Sequence, residues 1–364
     1  MIQNCRYFPE CGGCLYLDLD DKKYQEDKVI ALKKTLSNLE TPDIDFFWIG
    51  PSSRRKIILQ IDDKNRVGFF AKSSKNLVEI DECFVSEKRI SQIILPLKNF
   101  LKSFENNSIA QIQITLFDNV LNVIFAIKRE LNFTQIQKIT EFAKANKINA
   151  SYSLKKETVP IYIIENNQIF VENFTLNNEK SSYITLDLSA NIFIQATKKG
   201  LEKITKTLAY FIENNFKTRP KIIDIYAGFG IYSFAVSHLA KEVQAFEGDE
   251  EMTSLIVKNA AKNSLANKII AKNRDLFFYP ISYKELEKFD LVIINPPRNG
   301  ATPQVKEIAN SKIKNVIYVS CNPQSFVFDA AILLKSGFKI ISITAIDQFY
   351  STNHLELVVI MQKN

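Results

Sequence analysis

Several features are missing from this sequence of 364 residues. No apolar run approaches the roughly 18 residues that would predict a membrane-spanning helix. Met1 to Asn4 lead directly to Cys5, without the basic start and apolar core of a signal peptide. There is also no internal repeat and no long low-complexity linker. We therefore expect a cytoplasmic globular protein with no membrane partner, and we expect it to be a monomer.

Cysteine is scarce, with five residues in the chain. In a reducing compartment, a close set of thiols indicates metal binding or catalysis rather than disulfides. Cys5, Cys11 and Cys14 lie close together in the sequence, and Cys83 can supply a fourth thiolate. Four sulfurs can hold a 4Fe-4S cluster or a structural zinc ion, and the thiols could also be unligated. The spacing favours the iron-sulfur cluster.

The composition favours a globular protein with a polyanionic partner. Hydrophobic residues make up 46% of the chain and charged residues 24%, which is ordinary for a globular protein, and the length suggests about two domains. Lys and Arg number 47 against 40 Asp and Glu, which gives a formal net charge of +7. That excess favours binding to a polyanion such as RNA.

The first half of the chain combines a cysteine-rich region with a mixed domain. Residues 1–40 contain the first cysteines and a helical pattern from Leu15 to Leu39. Residues 41–185 alternate strand and helix signals and predict an α+β domain that binds RNA. Its candidate contacts are the adjacent cations Arg54, Arg55 and Lys56, close to aromatic residues that could stack on bases. A solvated charge run at the start of a strand explains the same cations equally well.

The second half, residues 186–364, is typical of a doubly wound α/β sheet. Seven apolar runs alternate with helical segments from Lys221 onward. The last two runs are separated by Gln348 to His354 alone, too short for a crossover helix, so the seventh strand should be antiparallel to the sixth. This is the layout of class I methyltransferases, a Rossmann-like fold that uses S-adenosylmethionine.

The first strand of this sheet leads into a glycine turn typical of nucleotide-like ligands. Asp224 to Gly230 contain Tyr226 and the pair Gly228 and Gly230, and glycine lets the backbone approach a ligand closely. Glu247 ends the next strand with the spacing of an acid that binds a ribose diol. Asp275 ends the third strand, where it could meet an adenine edge or only cap a turn.

The fourth and fifth strands end in the residues that carry the chemistry. Asn295 begins the sequence Asn-Pro-Pro-Arg, in which Arg298 replaces the aromatic residue typical of amino-methyltransferases. Cys321 follows the fifth strand directly, and Asn-Pro after it stops the ladder. A lone cysteine there is either a small core residue or a nucleophile facing the crevice at the strand ends.

Together these motifs resemble the RNA uracil-C5 methyltransferases, which make 5-methyluridine in tRNA or in large-subunit rRNA. The resemblance covers nearly the whole chain and is carried by the N-terminal cysteines, Phe193-Ile194-Gln195, the Asp224 to Gly230 turn, Glu247, Asn295 to Arg298, Ser320 to Pro323 with Asp329, and Asp347 through Glu356. It implies S-adenosylmethionine as methyl donor, with Gln195 at its methionine end. It also implies Cys321 as nucleophile and Glu356 as base.

This assignment makes chemical sense. Uracil C5 is a poor nucleophile, and a thiolate that adds to C6 turns the ring into an enolate that can attack a sulfonium methyl group. A base must then remove the C5 proton so that the thiolate can leave. Glu356 is favoured for this role over His354. The target uridine would have to leave its stack, and Phe193 and Arg298 join the candidate RNA contacts.

Departures from the family pattern favour the iron-sulfur branch that modifies large-subunit rRNA. Asn295 replaces a more frequent aspartate, and no small β-barrel domain precedes the cysteines in the sequence. Ala227 and Ile231 replace residues of the cofactor contact. Two alternatives stay open at this point, a methyltransferase of exocyclic base amines and a noncatalytic RNA-binding protein.

Overall fold

The computed structural model describes residues 5–104, 107–155, 157–176 and 182–363. Met1 to Asn4, where the sequence has no signal-peptide pattern, lie outside these ranges. The helices are α1 (Asp21–Thr35), α2 (Lys88–Lys102), α3 (Phe133–Asn146), α4 (Lys198–Asn215), α5 (Ile231–Val236), α6 (Glu250–Lys262), α7 (Tyr283–Leu286), α8 (Thr302–Asn310) and α9 (Pro323–Lys335).

The described strands form one sheet of eight strands, one of seven and one of two. They are β1 (Ile44–Trp48), β2 (Lys56–Ile61), β3 (Val67–Phe70), β4 (Leu77–Glu79), β5 (Ile109–Leu116), β6 (Leu121–Ile127), β7 (Asn149–Leu154), β8 (Glu157–Tyr162), β9 (Asn167–Asn173), β10 (Ser182–Leu188), β11 (Lys221–Ile225), β12 (Glu242–Glu247), β13 (Ile269–Asn273), β14 (Leu291–Ile294), β15 (Asn315–Ser320), β16 (Phe338–Asp347) and β17 (Glu356–Lys363).

The C-terminal half confirms the predicted α/β class. All seven predicted strands form, in the spatial order β16-β17-β15-β14-β11-β12-β13. β17 is antiparallel to both β15 and β16, as the short connection predicted. The other neighbours are parallel. Their carboxyl ends therefore meet at one edge, where doubly wound sheets place their ligands.

An eighth strand departs from the prediction. β1 pairs in parallel with β16 and extends the sheet at that edge. Its apolar side chains pack on both faces, with Phe46 against one core cluster and Phe47 against the other. A strand with apolar groups on both faces is stabilised by burial within an α/β sheet. Residues 44–48 therefore lie in the C-terminal sheet, although the predicted boundary assigned them to the central domain.

The central region has the α+β architecture that the sequence predicted. Its seven-stranded sheet has the order β4-β3-β2-β5-β6-β7-β8, and apolar residues of α2 and α3 complete its core. A hairpin turn at Asp118 and Asn119 joins β5 to β6, where the Phe117 amide donates to the Val120 carbonyl at 3.0 Å. β9 and β10 form the two-stranded sheet and contribute to the core of the C-terminal half.

The N-terminal helix is shorter than predicted but connects the cysteine region to the C-terminal half. α1 begins after Asp20, whose carboxylate accepts from the amides of Lys22 and Lys23, because such a cap satisfies the free amides of a first turn. Its buried face includes Lys28 and Leu32, and the helix lies against α9. No helix in the described ranges is long and apolar enough to cross a membrane.

Candidate active site

The glycine turn after β11 leaves open space beside its backbone. Gly228 has φ +56° and Gly230 has φ +85°, conformations that favour glycine. A Cβ added at Gly228 would meet no described atom within 4 Å, so a ligand can approach the main chain there. Tyr226 also has a positive φ of 62°, and strain of this kind in a side-chain-bearing residue is frequent at binding sites.

Glu247 contacts this turn directly, while its contact with a ribose diol stays a prediction. Its Oε2 accepts from the Gly228 amide at 2.8 Å, while Oε1 accepts from Gly248 at 2.8 Å and Asp249 at 3.0 Å. A carboxylate offers about four acceptor positions, so capacity remains for a ribose hydroxyl. These residues fit the nucleoside end of S-adenosylmethionine. The backbone amide of Asn295 donates to the Ile225 carbonyl at 3.1 Å, beside the same turn.

Asp275 has the capping role that the sequence left open for it. Its Oδ1 accepts from the amides of Phe277 at 3.0 Å and Phe278 at 3.2 Å. This turn holds the Phe277 ring 5.8 Å from that of Tyr226. Asp275 therefore shapes the loop next to the glycine turn, and contact with adenine stays a prediction.

Glu247→Ala should weaken binding of S-adenosylhomocysteine about ten- to a hundredfold. Loss of hydrogen bonds to a charged group costs roughly 1.5 to 3 kcal/mol, and each 1.4 kcal/mol is about tenfold in affinity. Isothermal titration calorimetry measures the change. Glu250→Ala, at an exposed position at the start of α6, is the matched control and should bind as wild type. Equal affinity in both variants would remove Glu247 from the site.

Cys321 begins the loop that follows β15, next to the loop that follows β14. The Asn322 side-chain amide donates to the Arg298 carbonyl at 2.9 Å and ties these loops together. Burial raises the pKa of the half-buried Cys321 thiol, and the nearby Glu356 carboxylate raises it further. The nearby positive charge of the Arg298 guanidinium opposes this increase in pKa. Arg298, predicted as an RNA contact, is thus also the group that favours the thiolate.

Asp329 fixes the loop that carries Arg298. Its Oδ2 accepts from the Ala301 amide and the Tyr318 hydroxyl, both at 2.7 Å, and its Oδ1 accepts from Thr302 at 2.7 Å. The buried Asp329 therefore connects the loop after β14 to α9, the helix that begins just after Cys321.

Glu356 is the first residue of β17 and is 3% exposed. Its Oε2 accepts from the Gln348 amide at 2.9 Å. Burial raises the pKa of Glu356 from 4.5 to about 7, and the Gln348 hydrogen bond partly opposes this. A carboxylate with a pKa near neutrality suits general-base catalysis, because it is ionised at working pH yet still basic.

A chain of amides extends from this carboxylate. Gln348 also donates to the Gln195 Oε1 at 2.8 Å, and Gln195 donates to the Tyr232 hydroxyl at 2.9 Å. Both polar groups of the Gln195 side chain therefore have a partner inside the protein, and its contact with the methionine end of the cofactor stays a prediction. Sequence reasoning missed Gln348 and Tyr232 as individual site residues. Gln348 lies inside the segment from Asp347 to Glu356 that carries part of the family resemblance, while Tyr232 has only the pattern of a core aromatic residue.

Glu356→Gln should stabilise the protein at pH 8 but not at pH 5. A carboxyl whose folded pKa is raised from 4.5 to about 7 contributes stability below pH 4.5, and that contribution is lost as pH rises to 7 and above. The loss is on the order of 3 kcal/mol, and glutamine removes it. Chemical denaturation at both pH values measures the difference, with the exposed Glu251→Gln as control. An equal effect at both pH values would contradict the raised pKa.

The predicted RNA contacts of the central region need one correction. Arg55 is 2% exposed, and its guanidinium bonds to Asp118 at 2.9 Å and to the Leu116 carbonyl at 3.0 Å. It is a buried structural residue paired with Asp118 and not a surface cation. Arg54 and Lys56 are half-buried, and Phe193 is 63% exposed.

The four N-terminal cysteines line one cavity. Cys5, Cys11, Cys14 and Cys83 surround about 40 Å³ together with Arg54, and all four are free thiols. Burial raises the pKa of the Cys14 thiol to about 12. Within the described ranges, however, no group of three or more His, Cys, Asp or Glu side chains is arranged to hold a single metal ion.

Comparison with known proteins identifies the family of this chain. The chain matches the model of the tRNA (uracil-5-)-methyltransferase family over residues 20–364. An uncharacterized RNA methyltransferase of Caulobacter vibrioides is 29% identical over 97% of this chain and 84% of the relative. The 23S rRNA (uracil(1939)-C(5))-methyltransferase RlmD of Vibrio campbellii is 24% identical over 99% and 82%.

A solved structure shows the same fold. The tRNA (uracil-54, C5)-methyltransferase of Pyrococcus abyssi, in complex with S-adenosyl-L-homocysteine, superposes with a TM-score of 0.72. It is 23% identical, and the match covers 97% of this chain and 86% of that one. The chain belongs to the tRNA (uracil-5-)-methyltransferase family, which comprises S-adenosylmethionine-dependent RNA uracil-C5 methyltransferases.

Proposed function

We propose that this enzyme methylates C5 of a uridine in large-subunit rRNA through a covalent bond to Cys321. The observation that carries the proposal is the meeting of Cys321 and Glu356 at one edge of the sheet, where the Glu356 charge raises the pKa of the Cys321 thiol. A nucleophile and a base with a pKa of about 7 are the two groups that C5 methylation requires.

Each protein residue has a defined task in this proposal. Cys321 loses its proton and bonds to uracil C6, and the Arg298 guanidinium beside it favours the thiolate. Glu356, ionised and held by Gln348, removes the C5 proton, after which the Cys321–C6 bond breaks. The glycine turn and Glu247 would hold S-adenosylmethionine, which would supply an electrophilic methyl group to C5 before proton removal and would leave as S-adenosylhomocysteine. The Phe193 ring and Arg54 are the proposed RNA contacts.

Large-subunit rRNA is the proposed substrate because a relative named for that activity matches 99% of this chain. Asn295 and the set of four cysteines also resemble that branch of the family. We propose that the protein acts in the cytoplasm as a monomer, with residues 1–40, 41–185 and 186–364 as its three regions, except that β1, β9 and β10 pack with the C-terminal half.

The test is mass analysis of nucleosides from a strain that lacks the gene. The rRNA and tRNA fractions are digested separately, and each is compared with the parent strain. Loss of one 5-methyluridine from large-subunit rRNA is the expected result. Loss of 5-methyluridine from tRNA would identify tRNA as the substrate instead of rRNA. Loss of an N-methyl base would favour amine methylation, and no loss of any methylated base would favour a noncatalytic role.

We also propose that Cys5, Cys11, Cys14 and Cys83 hold a 4Fe-4S cluster. The four cysteines line one cavity, and a cubane lets each thiolate bind a separate iron. Anaerobically purified protein should contain about four iron and four sulfide per chain. Stoichiometric zinc without sulfide would overturn this assignment.

A further inference from the structure

The segment that precedes Glu356 determines where the proposed base points. Residues 348–355 join β16 to β17 and are called the base loop here. Gln348, at its start, donates to the Glu356 carboxylate at 2.9 Å and to Gln195 at 2.8 Å. A shift of the base loop would therefore change the hydrogen bond that orients Glu356.

One buried ammonium group binds both ends of the base loop. Lys28 of α1 is 7% exposed. Its Nζ donates to Asp347 Oδ1 at 2.6 Å and to the His354 carbonyl at 2.8 Å. Asp347 directly precedes Gln348, and His354 lies two residues before Glu356. The Lys28 side chain therefore holds the two ends of the base loop together from a different part of the chain.

The tip of the base loop is held by the same N-terminal segment. Ser351 is fully buried and has a positive φ of 59°. Its amide donates to the Tyr24 hydroxyl at 2.9 Å, its carbonyl accepts from Leu15 at 2.8 Å, and its hydroxyl accepts from the Tyr16 amide at 3.0 Å. Residues 15–28 therefore fix the loop at its tip as well as at its ends.

One side of the base loop borders a cavity. A cavity of about 340 Å³ lies between α1, α9 and the base loop, and Lys28, Tyr24, Gln324 and Leu355 are among its lining residues. The base loop thus has space beside it into which it can move. The polar contacts from residues 15–28 oppose such movement, together with the buried Tyr350 ring, whose centroid lies 5.3 Å from that of Tyr24.

We propose that Lys28 is a positioning residue for Glu356. By binding Asp347 and the His354 carbonyl, it holds the base loop where Gln348 can orient the Glu356 carboxylate toward the C5 proton. This inference rests on the proposed function and concerns one step of it. Formation of the Cys321–C6 bond does not need the base, whereas release of methylated RNA does.

The experiment compares Lys28→Met with Lys33→Met, which changes an exposed lysine of the same helix. Lys28→Met should bind S-adenosylhomocysteine within about twofold of wild type and should form the adduct with 5-fluorouridine RNA at a similar rate. With ordinary RNA, it should release methylated product at least tenfold more slowly and accumulate adduct on a denaturing gel. Lys33→Met should match wild type in every measurement.

A second variant keeps the test decisive if Lys28→Met does not fold, since a lone buried Asp347 is costly. Lys28→Met/Asp347→Asn removes both charges and should fold, with slow release retained. Release at the wild-type rate from either folded variant would overturn the positioning role. Loss of folding in both would also overturn it, because Lys28 would then support the fold as a whole. Wild-type protein without any adduct on 5-fluorouridine RNA would instead refute the proposed function.

Discussion

Glu356→Gln is expected to leave methylated RNA covalently bound to Cys321 and to reduce turnover by about 10² to 10⁴, the usual contribution of a general base. Glutamine keeps the size of the side chain and can still accept from Gln348, but it cannot remove the C5 proton. Bond formation at C6 and methylation should therefore proceed, and the reaction should stop before release. A denaturing gel with labelled RNA shows the adduct, and mass analysis shows the methyl group.

Cys321→Ala separates the nucleophile from the base. This variant should form no adduct and no product, because no enolate of uracil can form without the thiolate. It should still fold and bind S-adenosylhomocysteine, since Cys321 is half-buried and lies outside the glycine turn. Product from Cys321→Ala would refute covalent catalysis and would favour the amine methyltransferase alternative.

Cys11→Ser should have the second large effect, loss of most iron together with at least a tenfold loss of turnover. Cys11 lies in the cavity of the four cysteines, and its backbone forms an isolated antiparallel β-bridge with Ala71 of the central region. Serine is a poor ligand for iron, so the N-terminal segment should lose its attachment. Tyr16 and Tyr24 of this segment bind Ser351 of the base loop, which connects the cysteines to Glu356.

Iron content and limited proteolysis test this account independently of activity. Cys11→Ser should be cleaved within residues 15–28 faster than wild type, and Cys321→Ser is the control because it lies outside the cavity. Full iron content in Cys11→Ser would remove Cys11 from the ligand set. If Cys11→Ser lost iron but kept wild-type proteolysis and turnover, the cysteine cavity would not be needed to hold the base loop in place.

The residues at strand ends were accessible from the sequence because the physical rule is local. Apolar runs predict the strands, and parallel strands bring their carboxyl ends to one edge. Gly228 lies in the turn after β11, Glu247 ends β12 and Cys321 directly follows β15. Their meeting at one edge can therefore be inferred without a structure. The antiparallel last strand follows for a similar reason, since its connection is too short for a crossover.

Partners that are distant in sequence were not accessible. Lys28 looks like one charge on an amphipathic helix, and only the fold brings it 2.6 Å from Asp347, 319 positions away. Arg55 has the pattern of a surface cation until Asp118 is placed beside it. β1 looked like part of the central domain, because nothing local indicates that its partner is β16. In each case a long-range contact decides the role of the residue.

The most direct test of covalent catalysis is peptide mapping of the enzyme after reaction with 5-fluorouridine-substituted large-subunit rRNA and S-adenosylmethionine. Fluorine cannot leave C5 as a proton does, so wild-type enzyme should be trapped before release. The account predicts one modified peptide, with Cys321 bonded to a nucleotide that carries both fluorine and the transferred methyl group. Absence of any adduct, or an adduct on a residue other than Cys321, would contradict it.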